Sequence, residues 1–178
     1  MAHTHCVPVA WPESEDLVAV LRDAEEGDEL IRAALRDPAN EAFAARNDGH
    51  LVGAAVVQWR PGLASELLYI AVVAARRGNG DGRTILSHLI DELPRHGRRL
   101  VVGTSNSSLD NIAFYQRCGF RMDAVKRDHF DYVQPPVIEH GITMRDMILF
   151  AYELPEQPDQ SRRPAPADVA GSEVVSPD

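Results

Sequence analysis

The order of apolar runs, helical faces and turn signals predicts a mixed α/β (α+β) domain rather than a doubly wound parallel sheet. Three observations carry that reading. Asp48-Gly49 separates two apolar stretches in the way a tight hairpin does. Residues 66–93 read as strand, loop and helix, which is a crossover. A further strand, helix and strand pair follow, so hairpins and crossovers share one chain. With 178 residues and 44% hydrophobic content, one domain around a single core is expected.

Taken in order, residues 5–11 read as a short first strand, which Pro8 confines to a sheet edge or a strand end. Ser14 is positioned to cap a helix whose inner face holds Leu17, Val18 and Leu21. A second helix follows Gly27, carries Leu30, Ile31, Ala34 and Leu35, and ends before Pro38. Residues 42–47 and 50–59 form the predicted hairpin, and Arg60-Pro61-Gly62 breaks the chain after it. The strand from Glu66 includes the β-branched Ile70, Val72 and Val73. Ile85, Leu86, Leu89, Ile90 and Leu93 then line one face of a helix expected to stop at Pro94. Residues 98–104 read as a buried strand, and residues 109–118 as a short helix ended by Gly119. Residues 120–125 and 143–154 form a closing strand pair, with a functional loop at 126–142 containing Pro135-Pro136. The last 24 residues hold five of the twelve prolines and no aromatic residue, so a disordered tail is expected from 155 to 178. The domain itself is assigned to residues 1–154.

Charge and composition restrict the partners. A net charge of −9 argues against nucleic acid, which calls for a basic face. No apolar run is long enough for a membrane span, and no signal peptide is recognisable at the N-terminus. Cys6 and Cys118 follow neither metal nor disulfide spacing, a thiol usage typical of a cytoplasmic protein. His3, His5 and Cys6 read as a frayed terminus, and no metal site is expected.

The chemistry concentrates in one stretch. Glycines at 78, 80 and 82 lie between a strand and a helix start, where free amides and the positive end of the helix dipole converge. Arg76, Arg77 and Arg83 add positive charge, so a phosphate-bearing ligand is indicated. The dinucleotide fingerprint fails because Arg83 stands at the sixth position from Gly78, and the nucleotide P-loop fails for want of a lysine.

The run from Val72 through Arg77, Gly78, Gly80 and Gly82 resembles the acetyl-CoA pyrophosphate loop of the GNAT superfamily of N-acetyltransferases. Downstream, Asn111, Ala113 and Tyr115 followed by Gly119-Phe120 look like that superfamily's second signature, one helix and one strand away. The ending (Asp128, His129, Phe130, then Glu139, His140, Gly141) is similar to small bacterial members of undefined substrate. The resemblance spans roughly residues 7–154. It implies a mostly antiparallel central sheet with helices on both faces.

It also implies roles. Amides of Arg77, Gly78, Asn79, Gly80, Asp81, Gly82 and Arg83 would cradle the pyrophosphate of acetyl-CoA, the only cosubstrate expected. The backbone of Ile70, Ala71 and Val72 would pair with the pantetheine arm. Asn106, Asn111, Ala113 and Tyr115 complete the cofactor set. Asp81 departs from the family pattern, since its carboxylate would repel a diphosphate unless it points away. Tyr115 would donate a hydrogen bond to the leaving sulfur, because a phenol of pKa ~10 gives its proton up to a thiolate of pKa ~8.5 only uphill. Glu66 is the candidate base, acting through water, against the plain reading of a solvated strand-end acid. Asp128, His129, Tyr132 and Glu139 are candidates on the side of the acceptor.

The function implied is transfer of an acetyl group to a primary amine by direct attack in a ternary complex, a small-molecule amine first, with an amino acid, an antibiotic or a protein terminus left open. A homodimer is left open. The rivals are a non-catalytic acyl-CoA sensor and an enzyme of the same fold using another acyl group.

Overall fold

The computed structural model describes residues 3–25 and 27–155. Beyond Pro155 the expected disordered tail lies outside the described residues. The described residues form nine strands and four α-helices, and all but two small strands within 126–142 follow the predicted order. They are β1 (His5–Pro8), α1 (Val18–Leu21, preceded by a 3₁₀ turn at Glu13–Leu17), α2 (Asp28–Arg36), β2 (Asn40–Asn47), β3 (His50–Gln58) and β4 (Ser65–Val72). Then come α3 (Asp81–His96), β5 (Arg99–Ser105), α4 (Leu109–Arg117), β6 (Arg121–Lys126), β7 (Ile138–Glu139), β8 (Ile142–Thr143) and β9 (Met147–Glu153).

Seven strands make one sheet in the order β1-β2-β3-β4-β5-β9-β6. Among the described residues only β4 and β5 run parallel, because α3 carries the chain across between them. Each face is covered by its own apolar cluster, as expected of a sheet that buries both sides. On one, Leu17, Leu21, Ile31 and Leu35 of the first helices pack against Ala42, Ala44, Ala54 and Val56. On the other, Ile85, Leu86, Leu89 and Leu93 of α3 and Tyr115 of α4 pack against Phe43, Ala55, Val57, Leu100 and Phe150. Among the described residues no helix is long and apolar enough to cross a membrane.

The Asp48-Gly49 hairpin forms as predicted, with φ of 50° and 80° at its two central residues. Four expectations are corrected. The first strand ends at Pro8 rather than at residue 11. Ser14 does not cap: the turn starts at Pro12, and Ser14 is buried with its hydroxyl unpartnered among the described residues. The third helix runs through Pro94 to His96, whose ring stacks on Trp59 at 4.2 Å and holds the last turn in place. Pro94 itself fits a helical φ and forfeits a single hydrogen bond there. Finally, the segment 126–142 is not all loop, since β7 and β8 form a small hairpin turning at His140-Gly141, both at positive φ.

Candidate active site

The site begins with a defect in β4. Val56 of β3 pairs with Tyr69 and Val57 with Leu67, so Leu68 is an extra residue, a β-bulge. The bulge puts Leu68 and Tyr69 on the same face, against the cluster of α1 and α2. Ile70 and Val72 turn to the face of α3. It also bends β4 away from β5. The two strands are paired only at Ser65, Glu66 and Leu67 against Leu100, Val101 and Val102. Beyond that point they part, and the edges of β4 (68–72) and β5 (103–105) face each other as a fork without strand pairing.

The glycine loop closes the wide end of this fork. Gly78 and Gly80 have φ of +78° and +88°, and a Cβ at either would meet nothing within 4 Å. Their requirement is therefore one of backbone conformation, with open space in front. At Gly82 a Cβ would lie 3.2 Å from the Phe114 ring and 3.5 Å from Val72, so this glycine lets α3 approach both α4 and β4. Thr84 N–H makes the first backbone bond of the helix, to Gly80 O at 3.0 Å. The amides of Asp81, Gly82 and Arg83 precede it and have no backbone acceptor among the described residues, and no side chain there caps the helix. This is the donor set of an anion site.

The charged side chains of the loop are otherwise engaged. Arg77 folds back, its Nε donating to Val72 O at 3.2 Å and its Nη2 to Asp23 at 2.5 Å. Arg83 donates to Arg117 O at 3.1 Å and lines a groove of about 270 Å³ with Cys118 and Tyr152. Asn79 Nδ2 donates to Arg76 O at 3.1 Å. Asp81 points away from the fork, 3% exposed and bound to Arg76 and Thr4. Burial pushes its carboxyl up, but hydrogen bonds from Arg76 and Thr4 and the Arg76 charge outweigh that and hold it below the usual carboxylate range.

On the β5 side of the fork, Asn111 Nδ2 donates to Thr104 Oγ1 at 3.3 Å. Ala113 is half-buried, two residues before Tyr115 in α4. Tyr115 is 5% exposed, with Phe114, Phe120 and Phe150 at centroid distances of 5.3, 5.9 and 5.7 Å. It belongs to the cluster of Leu67 and Val102, the last paired residues before the fork opens. Burial, and secondarily Cys118, pushes its phenol well above the ordinary value.

Other predicted residues fall elsewhere. Glu66 sits in the paired part of β4, its carboxylate 3.1 Å from Arg60 and its side chain 37% exposed. Asn106 is a staple: its Oδ1 accepts from Arg145 N and Asp146 N at 2.9 and 3.0 Å, and its Nδ2 donates to Thr143 O at 3.0 Å. That uses its side chain to hold the β8–β9 segment, leaving little of it for a ligand. Glu139 accepts from the hydroxyls of Ser107 and Ser108 at 3.0 and 2.8 Å, which pins β7 to the turn before α4. Asp128 accepts φ 56° and binds Asp146 through its amide, His129 packs on Phe130, and Tyr132 is 75% exposed. Among the described residues no hydrogen bond or ion pair joins one of these four side chains to another. Sequence reasoning missed the Leu68 bulge, the Ser105-Ser107-Ser108 hydroxyl cluster and the Thr4 contact. Paired leucines carry no bulge signal, and the serines read as ordinary loop residues.

A bulged parallel fork beside a glycine loop defines an acyltransferase-like class of site. Residues 6–120 match the model of the Acetyltransferase (GNAT) family, and the chain belongs to that family. An uncharacterized N-acetyltransferase of Bacillus subtilis, YvbK, is 32% identical over 91 residues, covering 50% of this chain and 59% of that one. The fold is similar to that of an acetyltransferase from Elizabethkingia anophelis with acetyl-CoA bound, at 30% identity and a TM-score of 0.74. That match covers 85% of this chain and 98% of the other. An IAA acetyltransferase from Bacillus cereus is equally similar in fold (TM-score 0.74, 28% identity, 85% of this chain and 100% of that one).

Proposed function

We propose that the protein is an acetyl-CoA-dependent N-acetyltransferase acting on a primary amine. The observation that carries this is the β4–β5 fork, open where a thioester arm would enter and closed by unbonded helix-start amides. Acetyl-CoA fits this set of donors: amides 81–83 and the positive-φ loop take the pyrophosphate, and the free edge at Ile70–Val72 takes the pantetheine as an added strand. The name of the Bacillus subtilis relative and the acetyl-CoA in the Elizabethkingia structure support the same donor.

Acetyl-CoA supplies the acetyl thioester. An amide of the free β4 edge polarises the carbonyl as the neutral amine attacks it; a C–N bond forms, the C–S bond breaks, and the proton that the nitrogen then sheds ends on the departing thiolate. Tyr115 donates its phenol hydrogen bond to the departing sulfur. Its burial keeps the phenol protonated, so it acts as a donor more than as a full acid. An amine of pKa ~10.4 is neutral in only about one molecule per few thousand at pH 7, so its proton must be removed. Glu66, on the strand that leads into the fork, takes that proton through water in this scheme. The acidic surface favours a small cationic amine as acceptor over an anionic one.

The test is thiol release from acetyl-CoA across a mixed panel of amines. Release that requires both amine and acetyl-CoA supports the reading. Binding of acetyl-CoA with no release for any amine would instead assign the chain to acyl-CoA sensing.

A further inference from the structure

Asp81 is the carboxylate of the glycine loop, and three hydrogen bonds hold its side chain. Asp81 stands in the first turn of α3, where a free carboxylate would compete with an incoming anion for the same amides and repel it. Instead its side chain is turned to the opposite side, toward the edge of the sheet. Arg76 reaches it with two bonds, Nε to Oδ2 at 3.0 Å and Nη2 to Oδ1 at 3.2 Å. Thr4, just before β1, donates its hydroxyl to Oδ1 at 2.5 Å, and Asn47 at the end of β2 donates to Thr4 Oγ1 at 3.2 Å. The carbonyl of Arg76 also accepts the backbone and side-chain N–H of Asn79, at 3.3 and 3.1 Å. One arginine thus grips the loop on both sides of Gly80. It cancels the Asp81 charge as it does so.

We propose that Arg76 and Asp81 form a charge-neutral clamp through which the N-terminal edge strand sets the affinity of the glycine loop for the pyrophosphate of CoA. Both are positioning residues: they hold the loop and touch no reacting atom. The inference rests on the proposed acetyl-CoA site. Its physical content is a balance. A buried carboxylate without its partner is a strong, poorly screened charge, and a diphosphate beside it would feel it. With Arg76 in place the pair contributes shape and little net field.

Calorimetric titration of CoA into the purified protein tests this. Arg76→Gln should weaken binding by at least about tenfold, since it leaves Asp81 uncompensated. The same change made in the Asp81→Asn background should weaken binding by less than about threefold, the mark of coupled charges. Arg76→Lys, which keeps the charge, should stay within about threefold of the wild type. An equal loss from Arg76→Gln in both backgrounds, or no rescue by lysine, overturns the clamp while leaving the acetyl-CoA site standing. A wild-type protein that does not bind CoA overturns the site and the clamp together. Should Arg76→Gln fail to fold by its thermal melt, Thr4→Val reports in its place. It leaves the ion pair intact and releases the edge strand, so weaker CoA binding supports the clamp and unchanged binding overturns it.

Discussion

Tyr115 is a core side chain to which the proposed scheme also gives a part in the chemistry. Three aromatic rings and near-complete burial make its ring a core element, while its hydroxyl has no hydrogen-bond partner among the described residues. Tyr115→Phe keeps the ring and the packing, so turnover should fall by about a hundredfold with acetyl-CoA affinity nearly unchanged. Equal losses in turnover and affinity would deny the leaving-group role. The raised phenol pKa also bears on stability. The folded chain holds that proton after the unfolded chain has released it, so the contribution is complete below pH ~10 and declines as the pH rises further. Absorbance titration near 295 nm should show one of the four tyrosines ionising only as the fold opens. Cys6 behaves alike: burial in β1 pushes its thiol up to about 11, so at pH 8 a thiol reagent should modify it far more slowly in the native than in the denatured protein. Equal rates would show β1 to be detached. Tyr115 was legible in the sequence from its motif, but its cage was not, because Phe150 lies 35 residues away on another strand.

At the scale of elements, turn chemistry and apolar spacing were read well, and contacts between distant segments were not. Asp48-Gly49 announced its hairpin, whereas His140-Gly141 makes a similar turn with a residue that seldom takes positive φ. Pro94 misled because the stacking of His96 on Trp59, a tertiary contact, keeps the helix going past it. The fork depends on a bulge at Leu68, and a period-two pattern of apolar residues has no mark for one extra residue. The side chain of Asn106, expected at the cofactor, joins the β5–α4 turn to the start of β9. Asn106→Ala removes three hydrogen bonds on a partly exposed turn, and should lower stability by about 1–3 kcal/mol by denaturant melts. Its effect on acetyl-CoA affinity should be small. A large loss of affinity with unchanged stability would return Asn106 to the cofactor site. Gly82→Val, by contrast, drives a side chain into Phe114 and Val72 and should separate α3 from α4, with a lower melting temperature and weaker CoA binding.

The molecule as a whole is a sheet buried on both sides and split along one seam. Both apolar clusters run across β2, β3 and β4, and the seam lies where β4 leaves β5, so the cleft is built into a rigid scaffold. The family resemblance implied helices on both faces, but nothing in a linear pattern tells where parallel strands diverge. The acceptor side is the least determined by the fold: Asp128, His129 and Tyr132 lie on an exposed connection, while Glu139 is spent on two serine hydroxyls. The donor side is organised from residue to sheet, and the central claim is that the fork and the glycine loop form one acetyl-CoA site. Backbone hydrogen exchange with and without acetyl-CoA addresses it most directly. Slowed exchange is expected at residues 68–72 and 78–83 together, with β1 protected to a lesser degree through Thr4 and Asp81. Protection that appears only elsewhere, or at the loop with the β4 edge unchanged, would contradict it.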